Sequence, residues 1–224
     1  MKARLIPALF FVLGGVALLA QPPAPAKATP RVYSNAIGFS YSLPADWEVV
    51  DMSGSFSAAQ QQSQQMAQSD EEKRGLSCLQ IALTAHHGTP GSMVTAVDLP
   101  SACMGAEMDA KDLPGFGTGA TQGIQQSFDL SEPEVATYSL GSHGMWISRG
   151  KGNPKGHPEL QYTIETVCGL LKKGAVCWMA LTADDVALHA FERGAVVLDG
   201  ESAGALVPAR VFARKPPAAS PSKH

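Results

Sequence analysis

The sequence predicts an α+β fold in which a central antiparallel sheet is flanked by helices. Three observations predict it. The stretch Pro158–Thr182, PELQYTIETVCGLLKKGAVCWMALT, holds two strand-like runs around a turn, and in the first Leu160, Tyr162, Ile164, Thr166 and Cys168 share one face. Gln161, Thr163 and Glu165 share the other, which is the period of two of a half-buried strand. The second run, Val176–Leu181, is apolar on both faces, as befits a strand in mid-sheet with layers above and below. Finally, 224 residues at 45% hydrophobic content suffice for one domain with a substantial core and are too few for two.

The turn of this hairpin sets its register. A four-residue loop Leu171-Lys172-Lys173-Gly174, with Gly174 at positive φ, places Cys168 directly opposite Cys177. Opposed residues have Cα atoms roughly 4.5 to 5.5 Å apart, which a disulfide accepts. A three-residue loop would oppose Cys168 to Trp178 instead, and the apolar second strand leaves that register open.

At the amino terminus Lys2 and Arg4 precede an apolar run, Leu5–Ala20, and then a small-residue and proline segment, the layout of a secretory signal. The run is short for a bilayer span, although an uncleaved anchor has the same appearance. Cleavage after Ala26 or Ala28 satisfies an A-x-A pattern, so residues 1–28 read as signal peptide, 29–32 as linker, 33–213 as one domain and 214–224 as a disordered tail. No stable membrane span is expected after cleavage, and the expected location is periplasmic or secreted. Four cysteines, none in a C-x-x-C pattern, suit an oxidising compartment. They allow three connectivities; Cys168 with Cys177 has the geometric reason above, and Cys78 with Cys103 follows by elimination. Losing Lys2, Arg4 and Lys27 and no acid takes 17 basic residues to 14 against 20 acidic ones, a net of −6, which does not suit a nucleic-acid partner.

In order, Ile37, Phe39, Tyr41 and Leu43 alternate in a strand stopped by Pro44, and Trp47–Val50 makes another. Phe56–Arg74 reads as one glutamine-rich surface helix ended by Gly75, with Asp70, Glu71 and Glu72 set against its dipole. Leu76–Ala85 is a strand ending at His86-His87, which point to opposite sides and so make poor joint metal ligands. Ser92–Leu99 is a strand stopped by Pro100, with Cys103 in the following loop. The glycines at 115, 117, 119 and 123 match neither G-x-G-x-x-G nor a P-loop, and read as a flexible turn into a short helix over Ala120–Phe128. Val135–Leu140 and Met145–Arg149 form a hairpin. Ser142 beside His143 lacks a nucleophile elbow. Val186–Phe191 is a short helix after the capping residues Thr182–Asp185, and Ala195–Leu198 and Leu206–Phe212 supply late strand-like or packing segments.

A strand ending in Phe-x-Tyr-x-Leu-Pro, then a tryptophan entering a second strand, carried by Gly38, Phe39, Tyr41, Leu43, Pro44 and Trp47, resembles the opening of the PsbP/Mog1-like domains. That resemblance implies an α/β/α sandwich. Members mainly bind or stabilise other macromolecules, as extrinsic photosystem subunits, a Ran-binding protein and exported bacterial proteins of unknown role, and they share no catalytic motif.

Two functional expectations follow. The first is an exported, non-enzymatic binding or assembly domain with no cofactor or metal, whose partner is a protein or envelope component of unknown identity. Its candidate contact is the basic loop 149–158, with Arg149, Lys151, Lys155 and His157 in an otherwise acidic domain. The alternative is a periplasmic hydrolase or ligand-processing enzyme, for which His86, His87, His143, His157, Asp98 and Glu165 would have to meet in one pocket.

Overall fold

The computed structural model describes residues 31–212 apart from 35, 89–90, 106–107 and 126. The expected signal peptide (1–28) and the expected tail (214–224) lie outside the described residues. In chain order the elements are β1 (Arg31–Ser34), β2 (Phe39–Leu43), β3 (Glu48–Val49), α1 (Ser53–Met66), α2 (Asp70–Cys78), β4 (Gln80–His87), β5 (Ser92–Pro100) and α3 (Ser101–Met104). A 3-10 turn (Ala110–Asp112) leads to α4 (Leu113–Ile124), β6 (Phe128–Leu130), β7 (Glu134–Leu140), β8 (His143–Pro154), β9 (Tyr162–Leu171) and β10 (Gly174–Thr182). The chain closes with α5 (Asp185–Glu192), β11 (Ala195–Leu198) and β12 (Glu201–Ala205).

This is a mostly β domain with a few helices, built on two antiparallel sheets. The large sheet runs β3-β4-β5-β10-β9-β8-β6, with β7 also on β8, and the small one runs β1-β2-β11-β12. The hairpin β9-β10 is central, and Cys168 faces Cys177. Leu171 and Gly174 are themselves paired, so the connection is the two residues Lys172-Lys173. Gly174 has a φ of 153°, and a Cβ there would collide with the Leu99 carbonyl of the neighbouring strand.

The layers differ from a sheet flanked only by helices. One face of the large sheet, through Leu83, Val94, Ile147, Val167, Val176 and Trp178, packs on the small sheet and α5. Phe39 meets Trp178 edge-on at 5.3 Å, and the buried Tyr41 hydroxyl donates to the Phe191 carbonyl at 3.0 Å. The opposite face, through Val97, Trp146, Cys168, Cys177 and Met179, packs under α4. One covering layer is therefore largely a second sheet, because β11 pairs back onto β2, and β12 onto β11, instead of extending the large sheet.

Several local expectations change. The glutamine-rich helix is two helices, divided where Ala67 is extended (ψ 134°), and Gly75 lies inside the second. Asp70, Glu71 and Glu72 consequently open α2 at the positive end of its dipole, where acids are favourable. Cys78 ends that helix and β4 begins at Gln80. The glycine-rich stretch is not a turn but most of α4. An added Cβ at Gly117 would overlap the Trp146 ring, so the glycine lets helix backbone lie directly on the sheet. β1 begins at Arg31, inside the stretch read as linker, and Leu206–Phe212 is a packing segment and not a strand, with Leu206 and Val207 in the core. Cys78 is bonded to Cys103 and Cys168 to Cys177, with Cα atoms 5.6 and 4.1 Å apart.

Candidate functional site

The register of β8 with β9 sets Arg149 directly opposite Glu165 and Lys151 opposite Thr163. Residues 149–154 are therefore strand, and the expected basic loop shrinks to the turn that follows. Arg149 and Glu165 project from the face covered by α5 and by residues 206–212. The strand face read as half-exposed is closed in: Glu165 is 0% exposed and Thr163 is buried, because the small sheet and α5 lie over it.

An ionic network forms there. Arg149 Nε donates to Glu165 Oε2 at 2.5 Å, and Arg149 Nη2 donates to Glu192 Oε1. Glu192, in the last turn of α5, is hydrogen-bonded through Oε2 to His189 Nδ1 at 2.7 Å. The Arg149 guanidinium also stacks on the Phe212 ring at 4.2 Å. Asp184 caps the start of α5 by accepting from the Ala187 N–H, and residues 189 and 192 share a helix face because they are three apart. Glu165 Oε1 is buried without a hydrogen-bond partner. Burial pushes the Glu165 carboxyl up to about 7 and Glu192 adds to the rise, while Arg149 and His189 pull the other way. Above the network opens a cleft of about 510 Å³ between Arg149, His189, Glu192 and Arg193 on one side and the apolar residues of 205–212 on the other.

The other expected residues do not join this site. Lys151 donates from Nζ to Thr163 Oγ1 at 2.6 Å, Lys155 is exposed, and His157 pairs with Glu159 at 3.1 Å on the surface. His86 lies 3.4 Å from Glu48, and His87 lies 3.5 Å from Asp46 and stacks on Trp47. Asp98 is buried in β5 between β4 and β10. His143 Nε2 is bound to Asp199 Oδ2 at 2.9 Å, both side chains being 8% exposed. Of the residues gathered for an enzyme, only Glu165 reaches the cleft's network. Among the described residues no group of three or more His, Cys, Asp or Glu side chains could hold a metal ion, and no helix is long and apolar enough to cross a membrane.

Sequence reasoning missed Glu192, Arg193 and Phe212. The His189–Glu192 spacing was the available signal for the first; nothing local marks Phe212, which reaches Arg149 only after the chain folds back. The carboxylates of the network have little freedom for proton transfer, since both Glu192 oxygens are occupied and Glu165 is sealed from solvent. What remains exposed is a fixed set of N–H donors beside an apolar wall, an arrangement suited to recognition.

No family model matches the chain, and no curated protein matches it. Among solved structures it is similar to the solution structure of cyanobacterial PsbP (CyanoP) from Synechocystis sp. PCC 6803, at 13% identity, over 75% of this chain and 88% of that chain, with a TM-score of 0.41. That likeness concerns the fold and carries no argument about function.

Proposed function

We propose that this chain is an exported, non-enzymatic binding or assembly module that engages a protein or envelope component in the periplasm or outside the cell. The observation that carries the reading is the cleft at Arg149, where Glu192 is occupied at both oxygens, Glu165 is covered, and the exposed donors lie beside an apolar lining. Two disulfides support a place outside the reducing cytoplasm. The turn residues Lys155 and His157 are a secondary contact surface in this reading, since they stay exposed while Arg149 is drawn inward.

The test is photo-crosslinking in native cells with probes at positions 193 and 155, followed by fractionation and mass spectrometry. A reproducible envelope partner linked through position 193 supports the module. Recovery of the full-length chain from the cytosol with reactive thiols would overturn it.

A further inference from the structure

The two walls of the cleft differ in kind. One presents donors: the Arg149 guanidinium, 25% exposed, the exposed Arg193, and His189, 58% exposed. Of the carboxylates, Glu192 lines the cleft but has both oxygens occupied by Arg149 and His189, and Glu165 is fully covered. Arg149 is fixed at Nε by Glu165, at Nη2 by Glu192 and across its plane by Phe212, and no described residue accepts from Nη1. A planar guanidinium held this way offers its remaining edge as a preformed fork, which matches the two oxygens of a carboxylate. The rest of the lining is apolar, formed by Ala205, Val207, Pro208, Ala209 and Phe212, the last stacked on Arg149.

We propose that this cleft binds a small organic carboxylate, its anionic head on Arg149 and Arg193 and its apolar body along Val207, Pro208 and Phe212. The assignment rests on the binding-module reading and names the ligand chemistry of its site. The open volume of about 510 Å³ lies in the range of small-molecule sites. Arg149 is itself paired with two glutamates and Arg193 donates from Nε to the His189 carbonyl at 3.0 Å, so attraction comes from the remaining directed N–H groups more than from net charge, and the apolar lining supplies the remainder. A purely inorganic anion lacks that second contribution.

The test titrates the full, disulfide-bonded protein with 3-phenylpropionate and with the neutral, equally shaped 3-phenylpropionamide, followed by side-chain NMR. The acid is expected to bind saturably, to move the Arg149, His189 and Phe212 signals, and to bind at least tenfold more tightly than the amide. Arg193→Gln, at an exposed position, should weaken the acid at least threefold while the far-UV spectrum is unchanged, and Phe212→Ala should weaken both the acid and the amide. Equal binding of acid and amide, shifts confined to another surface, or no saturable binding overturns the assignment. Loss of phenylpropionate binding with the envelope crosslink intact removes this ligand class and leaves the module. Phenylpropionate binding without any crosslink removes the macromolecular partner and leaves the ligand.

Discussion

Glu165 is a charged residue in the middle of a central strand, and its single ion pair does not fully compensate its burial. With its folded value raised from 4.5 to about 7, the folded state holds a proton that the unfolded chain has released between those two values. Stability therefore falls as pH rises from about 4.5 to 7, by about 3 kcal/mol if the whole shift is realised. Replacing Glu165 by Gln should remove that slope, so the difference between wild-type and Glu165→Gln denaturation midpoints should grow from pH 5 to pH 8, the variant gaining. A constant difference would place the titration elsewhere. Gly117 offers a second test at this scale. Gly117→Ala drives a methyl into Trp146 and should cost about 1 to 3 kcal/mol in denaturant unfolding, where an ordinary helical Gly→Ala change stabilises. These residues also show what a linear reading loses. Alternation placed Glu165 correctly on its face, but whether that face meets water depends on α5 and the small sheet, which arrive later in the chain.

Among the elements, the two bridged pairs differ in access. Cys168 and Cys177 are fully buried between the central strands and α4, whereas Cys103 lies exposed on α3 although Cys78 is buried. Brief reductant under native conditions, followed by alkylation and peptide mapping, should label Cys78 and Cys103 first and leave the central pair unlabelled until the fold opens. Simultaneous labelling would mean that the central hairpin breathes as freely as the periphery. The central hairpin was readable because strand alternation, a turn glycine and two cysteines all agree on one register. α4 was not, because four glycines suggest a turn, and the one packing reason, Gly117 against Trp146, appears only in the folded chain. The break between α1 and α2 was hidden for the opposite reason: the residues around Ala67 carry no proline or glycine to mark it. β12 and the Arg149 cleft depend on long-range pairing and leave no periodic signal.

Over the whole molecule, the two packing layers share the strands of the large sheet, so they should melt together. Fluorescence from a variant keeping only Trp178, against the small sheet, and from one keeping only Trp146, against α4, should give coincident denaturation midpoints; separated midpoints would show two independently stable layers. The layers are tied at one corner by Asp199. It adopts a φ of 49°, accepts from the Lys172 N–H and binds His143 through Oδ2, and donates from its backbone N–H to the Gly38 carbonyl. Neighbouring Ser142 donates to Glu201 across the same corner at 3.3 Å. The tips of the β1-β2, β7-β8 and β9-β10 hairpins thus meet at one residue that is translated after all six of those strands. Phe39 is translated long before its partner Trp178, and Tyr41 before Phe191, so the nascent polypeptide must be shielded until those two emerge, and chains stopped before Trp178 should be cut by proteases within their first strands.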